Sequence, residues 1–193
     1  MTSICFATNN PNKLAEIRQM VPATVEIKSL KDIGCEEELP ETQETLEGNA
    51  LQKANYVLEH YGVPCFADDT GLEVAALNGE PGVYSARYAG PQRSNADNIS
   101  LLLSKLADKK DRSARFRTVI ALVGLDKEYL FDGIVEGIIG EELKGEGGFG
   151  YDPVFYPEGC EITFAEMPAA DKNAISHRGR AMAKLLDFLR KQA

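Results

Sequence analysis

The sequence predicts an α/β protein built around a mixed sheet. Apolar runs typical of buried strands alternate along the chain with segments whose apolar residues recur at helical spacing. Two longer strand-like runs, 115–125 and 129–139, are separated only by Asp126-Lys127-Glu128, which favours an antiparallel hairpin. The chain has 193 residues, 44% of them apolar, so it can bury one core, and we expect a single domain over residues 1–193 with at most two lobes.

The first predicted elements are a strand and a helix near the amino terminus. Residues 3–7 are apolar enough for a buried strand, which breaks at the polar run that follows. Asn10 is expected as a helix N-cap, and Pro11 fits the first helical position, where its missing N–H costs nothing. Apolar residues at helical spacing then predict a helix that runs to about Met20, namely Leu14, Ile17 and Val21.

A second strand and a longer helix follow. Residues 25–27 predict a short strand, and the acidic stretch 34–44 predicts a loop. A helix is expected over 45–61, with Gly62 as a natural C-terminal cap. Its apolar face would consist of Leu46, Ala50, Ala54, Val57, Leu58 and Tyr61.

The remaining elements are predicted from turn and cap signals. Residues 63–67 predict a third strand that ends on Asp68-Asp69-Thr70-Gly71, and Asn78-Gly79 and Pro81-Gly82 mark a loop. Ser94 and Asp97 resemble a capping box that opens a helix. Residues 145–150 contain four glycines and predict a flexible loop. The last helix is expected to begin near Ser176 and to bury Met182, Leu185, Leu186 and Leu189.

Charge and composition argue against several classes of function. The net charge of −9 argues against a broad nucleic-acid surface, which needs clustered cations. No apolar run approaches the roughly 18 residues of a membrane span, and the first residues lack the features of a signal peptide, so we expect a cytoplasmic protein with no membrane partner. The four cysteines lie far apart, which argues against zinc and disulfides, and Cys5 and Cys65 are expected to be buried thiols.

The first candidate functional segment is the predicted strand-to-helix loop. Helix N-termini attract phosphate through unpaired N–H groups and the helix dipole, and a lysine in the first turn adds a full positive charge. The loop is not a Walker A motif, and the alternative is an ordinary connection with a solvated lysine. The segment consists of Thr8, Asn9, Asn10, Pro11, Asn12 and Lys13.

Two adjacent carboxylates form the second candidate. Asp68 and Asp69 are predicted at a strand end, where α/β sheets bind ligands. A carboxylate there could hold Mg²⁺ or orient water for attack on phosphorus. Adjacent strand residues point to opposite faces, so only one of the two should enter a site. The alternative is a solvated turn capped by an aspartate.

The acidic loop and the following helix could complete such a site. Lys53 is predicted beside the buried stripe of its helix, where its ammonium would reach either water or a phosphate. A second Mg²⁺ ligand could come from any of the loop's glutamates, among which composition does not choose, namely Glu36, Glu37, Glu38, Glu41, Glu44 and Glu47.

Two further segments could bind a flat ligand. The run 147–152 would bring glycine backbone close to a ligand and offer the rings of Phe149 and Tyr151 for stacking on a base. Its alternative is a tight turn whose aromatic side chains fill the core. The run 172–178 would supply donors near a helix N-terminus, suited to carbonyl or phosphate oxygens, although His177 alone could equally be structural.

Taken together and in order, these segments resemble the inosine triphosphate pyrophosphatases, also called XTP/dITP pyrophosphatases. The matching runs span nearly the whole chain and are jointly specific. They are Ala7-Thr8-Asn9-Asn10 with Lys13, Leu39-Pro40-Glu41, Asn49-Ala50 with Lys53, the run 67–72, Pro81-Gly82-Val83-Tyr84-Ser85-Ala86-Arg87-Tyr88, the run 147–153 and the run 172–179.

The resemblance implies a homodimer of elongated subunits, each with a twisted mixed sheet flanked by helices and two lobes with a nucleotide cleft between them. It also implies Mg²⁺-dependent attack of water on the α-phosphorus of ITP, dITP or XTP, which removes deaminated purines from the nucleotide pool. Glu41 and Asp69 would bind the metal, and Asp69 would be the general base. The phosphate side would be lined by Thr8 to Lys13, Lys53 and Thr70, and the base pocket by Phe149, Gly150, Tyr151, Asp152, Lys172, His177 and Arg178.

Two other functions compete with this interpretation. A related pyrophosphatase acting on modified pyrimidine or methylated guanine triphosphates would share the phosphate chemistry, but the two base-pocket runs argue against it. A nucleotide-binding sensor without catalysis would have no use for two carboxylates poised for a metal.

Overall fold

The computed structural model of the chain describes residues 2–192, which form seven strands and five helices besides four short 3₁₀ turns. In chain order the elements are β1 (Thr2–Phe6), α1 (Pro11–Met20), β2 (Val25–Lys28), α2 (Leu46–Tyr61), β3 (Cys65–Val74), β4 (Pro81–Gly82), α3 (Asn95–Lys105), β5 (Ser113–Val123), β6 (Tyr129–Ile139), β7 (Phe155–Pro157), α4 (Ala169–Ile175) and α5 (His177–Gln192).

The strands form one sheet in the order β2-β1-β3-β5-β6-β7, and β4 pairs with β3 outside this path. β1 runs parallel to both β2 and β3, with Cys5 opposite Lys28 on one side and Cys65 on the other. β3 and β4 are antiparallel, as are β6 and β7. The prediction of an α/β fold with a mixed sheet is therefore confirmed, and β5 and β6 are neighbours as the predicted hairpin requires.

The described residues divide into two compact units. The first unit consists of 2–69, 118–133 and 178–192, and the second of Thr70–Arg117 and Ile134–His177. Each unit has its own apolar core. That of the first unit includes Phe6, Ile17, Phe66, Ile120, Leu122, Met182 and Leu185. That of the second includes Leu72, Leu102, Leu106, Phe116, Val154, Phe155 and Phe164. The single domain with two lobes stays a prediction.

Local sequence rules located the helix ends well. The Asn10 side chain caps α1 by accepting from the backbone N–H groups of Asn12 and Lys13. α2 ends at Tyr61 because Gly62 adopts the left-handed conformation that residues with side chains avoid, at φ +67°. Ser94 caps α3 by accepting from the N–H of Asp97. The predicted N-cap, C-cap and capping residue are thus confirmed.

The prediction that the third strand ends at Ala67 is wrong, because β3 continues through Asp68-Asp69-Thr70-Gly71 to Val74. Leu72 and Val74 are fully buried, and their burial outweighs the weak strand propensity of Asp and Gly. Gly71 allows the close approach of β4, since a Cβ there would lie 2.7 Å from the carbonyl oxygen of Gly82. Asp68 and Asp69 therefore project from the middle of a strand.

A second correction concerns the segment before the last helix. Lys172 belongs to a separate short helix, α4, and α5 begins at His177, one residue after the predicted start. The elements β4, β7 and α4 were not predicted, because each is too short to show a periodic pattern, and β4 lies at Pro81-Gly82, where a loop was expected.

Cys5 and Cys65 are buried and unpaired in disulfides, as predicted. Burial raises the pKa of both thiols to about 12. Within residues 2–192, no helix combines the length and the apolar character that crossing a membrane would demand.

Candidate active site

The loop that leads into α1 is held by its own side chains. Thr8 Oγ1 accepts from the Asn10 N–H at 3.1 Å, and Asn10 Oδ1 accepts from Asn12 and Lys13 at 2.9 and 3.3 Å. The Asn9 amide donates to the Glu37 carbonyl at 3.0 Å and accepts from the Leu39 N–H at 2.9 Å. The start of α1 is thus preorganised and tied to the acidic loop.

Lys13 lies beside Asp68 in the first unit. Its Nζ is 3.0 Å from Asp68 Oδ1, while the other oxygen of Asp68 accepts from Arg178 Nε at 3.0 Å. Arg178 also donates to Glu16 at 2.5 Å. Asp68 and Arg178 are almost fully buried, whereas 13% of the Lys13 side chain stays exposed. Both carboxylate oxygens of Asp68 are therefore paired with cations.

Asp69 faces a different helix. Asn49, buried on α2, donates from its Nδ2 to Asp69 Oδ2 at 3.0 Å, and Asn49 Oδ1 accepts from the Gln43 N–H at 2.9 Å. One helical turn later, Lys53 is buried and donates to Glu41 Oε1 at 2.7 Å. Adjacent residues of a strand point to opposite faces. Asp68 therefore contacts side chains of α1 and α5, whereas Asp69 contacts a side chain of α2.

The two aspartates have opposite electrostatic surroundings. Burial raises the pKa of Asp69, and the nearby carboxylate of Glu41 adds to the effect, although Lys53, Lys13 and the Asn49 amide oppose it. Burial would also raise the pKa of Asp68, but Lys13, Arg178 and Lys53 outweigh it and hold that pKa well below its usual range. Asp69 is therefore the better proton acceptor.

Lys53 interacts with both candidate metal ligands. Burial alone would lower its pKa, yet Asp69, Glu41 and Asp68 together raise it, so this lysine stays charged. Among the loop glutamates, Glu41 is half-buried and paired with Lys53, whereas the glutamates at 36, 37, 38 and 44 are exposed. Glu47 is also half-buried, so the choice of Glu41 as a metal ligand among the six glutamates stays a prediction.

The donor set suits a metal that is shared with a substrate. The described part of the chain has no group of three or more His, Cys, Asp or Glu side chains that could hold an ion. In sites that handle phosphates, Mg²⁺ is usually bound by one or two carboxylates together with the phosphate oxygens. Glu41 accepts from the Lys53 ammonium and Asp69 also interacts with its charge, so the two carboxylates present fit that kind of site.

The second unit brings Phe149, Asp152 and Lys172 together. Asp152 Oδ2 accepts from Lys172 Nζ at 2.6 Å and from the Phe149 N–H at 2.9 Å. The Lys172 ammonium also lies 5.0 Å from the centre of the Phe149 ring, within cation–π range. Asp152 and Lys172 are both buried. One carboxylate thus holds both the backbone of Phe149 and the ammonium of Lys172.

The glycine before Phe149 makes this arrangement possible. Gly148 has φ +67°, and a Cβ on it would lie 2.1 Å from Asp152 Oδ2. Any other residue would displace the carboxylate that holds Lys172 and Phe149. At Gly150, no atom lies within 4 Å of an added Cβ. Substitution there is restricted by the backbone instead, because residues with side chains rarely adopt its φ of +63°.

Tyr151 and His177 are built into the core of the second unit. The buried Tyr151 hydroxyl donates to the Ser85 carbonyl at 2.7 Å. The His177 ring stacks on Phe116, with centroids 4.5 Å apart and planes 16° apart. Both side chains therefore have structural contacts, and their predicted place in a base pocket stays a prediction.

Two residues in these clusters had no predicted role. Asn49 was noted only as part of a matching run, and its spacing from Lys53 on one helix face was the signal for its role. Glu16 lies three residues after Lys13 on α1 and pairs with Arg178. A solvated glutamate can have the same spacing, so no sequence signal distinguishes a glutamate in an ion pair from a solvated one.

Known proteins are similar to this chain over nearly its whole length. The model of the Ham1 family matches residues 4–188. The dITP/XTP pyrophosphatase of Flavobacterium johnsoniae is 56% identical over 186 residues, covering 96% of this chain and 97% of that protein. The dITP/XTP pyrophosphatase of Porphyromonas gingivalis is 56% identical over 191 residues, covering 98% of each chain.

Solved structures are similar over the same length. The structure of a HAM1 protein from Coxiella burnetii matches with a TM-score of 0.90 and 39% identity, covering 99% of this chain and 100% of that one. The Staphylococcus aureus Ham1 protein matches with a TM-score of 0.89 at 39% identity and full coverage of both chains. From the family model, the relatives and the shared fold, it follows that this chain belongs to the Ham1 family.

Proposed function

We propose that this protein hydrolyses the deaminated purine triphosphates dITP, XTP and ITP at the α-phosphorus, giving the nucleoside monophosphate and pyrophosphate. Relatives that are 54–56% identical over nearly the whole chain carry the name dITP/XTP pyrophosphatase, which supports the reaction and its substrates. The observation that carries the proposal is the group of Asp69, Glu41 and Lys53, in which a buried cation interacts with two carboxylates.

The first-unit cluster suits a triphosphate. A triphosphate carries about four negative charges, which an acidic protein can accommodate only where cations are concentrated. Lys13, in the first turn of α1, and Lys53, on α2, supply two cations there. The N–H groups at the start of α1 add a partial positive charge. The exposed edge of Lys13 gives a phosphate a place to bind.

Magnesium is the metal that we expect at this cluster. Glu41 and Asp69 would hold it, since a hard cation prefers oxygen ligands. When bound, Mg²⁺ would offset negative charge on the phosphate oxygens. Phosphoryl transfer depends mainly on positioning of the reactants and on stabilisation of charge. The residues around the ion would therefore act chiefly by holding the metal and by offsetting the charge of the phosphates.

Asp69 is proposed as the general base. Its raised pKa makes it a better proton acceptor than an ordinary aspartate. The Asn49 amide fixes one carboxylate oxygen. Asp69 would take a proton from water as the water oxygen bonds to the α-phosphorus. The bond from that phosphorus to the bridging oxygen breaks, and pyrophosphate leaves beside Lys13 and Lys53.

The second-unit cluster is proposed to read the base. Hypoxanthine and xanthine carry a carbonyl at the purine 6-position, whereas adenine carries an amino group there. Donors from Lys172 and from His177, the first residue of α5, would pair with the carbonyl but stay unpaired against adenine. Unpaired buried donors can discriminate by several orders of magnitude. Phe149, held over Lys172, would stack on the purine.

The burial of the Asp152–Lys172 pair supports a functional role. Burying an ion pair often costs as much free energy in desolvation as the attraction between the two charges provides. A buried pair is therefore weak evidence that the pair stabilises the fold. Both side chains are at most 6% exposed. A pair kept there for recognition is consistent with this cost.

A homodimer in the cytoplasm completes the proposal. It rests on the resemblance of the sequence to the pyrophosphatases. Light scattering of the purified protein measures the mass directly, and the proposal expects twice the 21.1 kDa of one chain.

The function is tested by incubating purified protein and Mg²⁺ with ITP, dITP, XTP, ATP, GTP and dTTP in parallel. Ion-exchange chromatography then identifies both products of each reaction. Monophosphate and pyrophosphate from ITP, dITP and XTP, with little from the others, is the expected result. Orthophosphate with a diphosphate would overturn the site of attack. Turnover of dTTP instead would favour a pyrimidine enzyme, and tight binding without turnover would favour a sensor.

A further inference from the structure

Four charged side chains form a continuous chain in the first unit. Glu16 pairs with Arg178 at 2.5 Å, Arg178 with Asp68 at 3.0 Å, and Asp68 with Lys13 at 3.0 Å. The two acids balance the two cations. Each oxygen of Asp68 serves a different cation, so its carboxylate is fixed from both sides.

The position of Arg178 is unusual for a cation. It stands in the first turn of α5, where the positive end of the helix dipole disfavours an added positive charge. It is also buried, with 1% of its side chain exposed. Asp68 and Glu16 offset both effects. A residue placed at this electrostatic cost is expected to serve something beyond packing.

The two cations in this chain of charges differ in exposure. The Lys13 side chain keeps 13% exposure, whereas Arg178 is enclosed between two acids. Lys13 and Glu16 are three residues apart on α1, which places them on one face of that helix. The same face therefore carries both the ammonium and the carboxylate that completes the neutralisation of Arg178.

We propose that Arg178 and Glu16 are positioning residues for the Lys13 ammonium, acting through Asp68. The inference rests on the proposed function in taking Lys13 as a ligand of the triphosphate. Arg178 holds one oxygen of Asp68, which directs the other oxygen to Lys13 Nζ. An ammonium has three donors, so Lys13 can donate to Asp68 and to a phosphate at the same time.

The physical effect is the prior ordering of a long side chain. A lysine loses much rotamer freedom when it binds an anion, and an ammonium already held by Asp68 loses less on binding. Without Arg178, Asp68 would lose the donor that fixes the oxygen opposite the one that holds Lys13. Phosphate affinity should then fall by about tenfold, the size of the ordering entropy of one such side chain.

The test uses inorganic tripolyphosphate as a probe without a base, titrated calorimetrically into the full-length protein in EDTA at low salt. The variants are Lys13→Met, Arg178→Lys, Glu16→Gln and the double variant Lys13→Met with Arg178→Lys. Arg178→Lys keeps the charge but loses the fork that holds two carboxylates. Arg18→Gln, which removes an exposed pair with Asp32 on the same helix, is the matched control.

The expected result is a loss of about tenfold for Arg178→Lys, a smaller loss for Glu16→Gln, and no change for Arg18→Gln. The double variant should bind no more weakly than Lys13→Met, because Arg178 acts only through Lys13. Any of three results would overturn the proposal. The losses of affinity in the two single variants multiply in the double variant, Arg178→Lys binds as tightly as the unaltered protein, or the unaltered protein does not bind tripolyphosphate. Should Arg178→Lys fail to fold, Glu16→Gln combined with Lys13→Met tests the same coupling.

A second readout separates this role from direct base recognition by Arg178. A positioning residue should lower kcat/KM for dITP and dATP by the same factor. If Arg178 reads the base, the preference for dITP over dATP falls while tripolyphosphate affinity stays constant, which would overturn the positioning role. Failure of the proposed function shows separately, as absence of dITP turnover by the unaltered protein.

Discussion

Asn49 donates its side-chain amide to the Asp69 carboxylate at 3.0 Å, and both residues are buried. The contact joins the second turn of α2 to the middle of β3, two elements that the chain brings together from 20 residues apart. It fixes the orientation of the proposed general base before any ligand binds.

Replacing Asn49 by alanine should lower kcat by about 10- to 100-fold, the usual cost of removing a partner that orients a catalytic or metal-binding group. Asn98→Ala is the matched control, because Asn98 is equally buried and also accepts from a backbone N–H, that of Ala89. Both changes should cost about 1–3 kcal/mol of unfolding free energy. Equal losses of kcat in the two variants would show that Asn49 is only structural.

Asp69→Asn should reduce turnover of dITP by at least about 10²-fold, because an amide cannot accept the proton of water. Binding of the nucleotide should stay within a few-fold, since Lys13, Lys53 and the second unit's cluster are unchanged. Turnover is followed by release of pyrophosphate, and binding by calorimetry in the absence of added metal. Activity near that of the unaltered protein would eliminate Asp69 as the base.

Gly148→Ala should weaken binding of dITP, because the new methyl group displaces Asp152 Oδ2 and with it Lys172 and Phe149. Gly159→Ala is the control, since Gly159 also has a positive φ but no atom lies within 4 Å of its added Cβ. Thermal denaturation should show Gly148→Ala to be less stable than the control by about 1–3 kcal/mol. The two variants should also differ in KM, and equal KM values would contradict the assigned role of Asp152.

Alkylation of the folded protein by iodoacetamide at pH 8 should modify Cys160 first. Burial raises the pKa of the Cys5 and Cys65 thiols to about 12, so their reactive thiolate is scarce, whereas Cys160 is half-buried. Peptide mass spectrometry locates the label, and protein unfolded in urea provides the fully modified reference. Modification of Cys5 or Cys65 at the rate of Cys160 would show that their strands open readily.

Features set by neighbouring residues could be predicted from the sequence. Asn10 and Pro11 determine the start of α1, and Gly62 the end of α2, through backbone preferences that act within a few residues. The extension of β3 through Asp68 and Asp69 could not be predicted. It depends on burial of Leu72 and Val74 against distant elements, which outweighs local propensity.

Some features of the candidate site could likewise be predicted from the sequence, whereas others depend on contacts between distant residues. Lys53 was placed beside the buried stripe of its helix by spacing alone, and the structure then selects Glu41 as its partner from six glutamates. The partners of Arg178 could not be found from pattern, because Asp68 and Glu16 lie 110 and 162 residues away along the chain. A solvated arginine and one enclosed by two acids look the same in sequence.

The central claim is that water attacks the α-phosphorus of a deaminated purine triphosphate. It is tested most directly by letting the protein turn over dITP with Mg²⁺ in ¹⁸O-labelled water and weighing both products by mass spectrometry. We expect one ¹⁸O atom in dIMP and none in pyrophosphate. Label in pyrophosphate would place the attack on the β-phosphorus, and labelled orthophosphate with dIDP would place it on the γ-phosphorus, and either result would contradict the account.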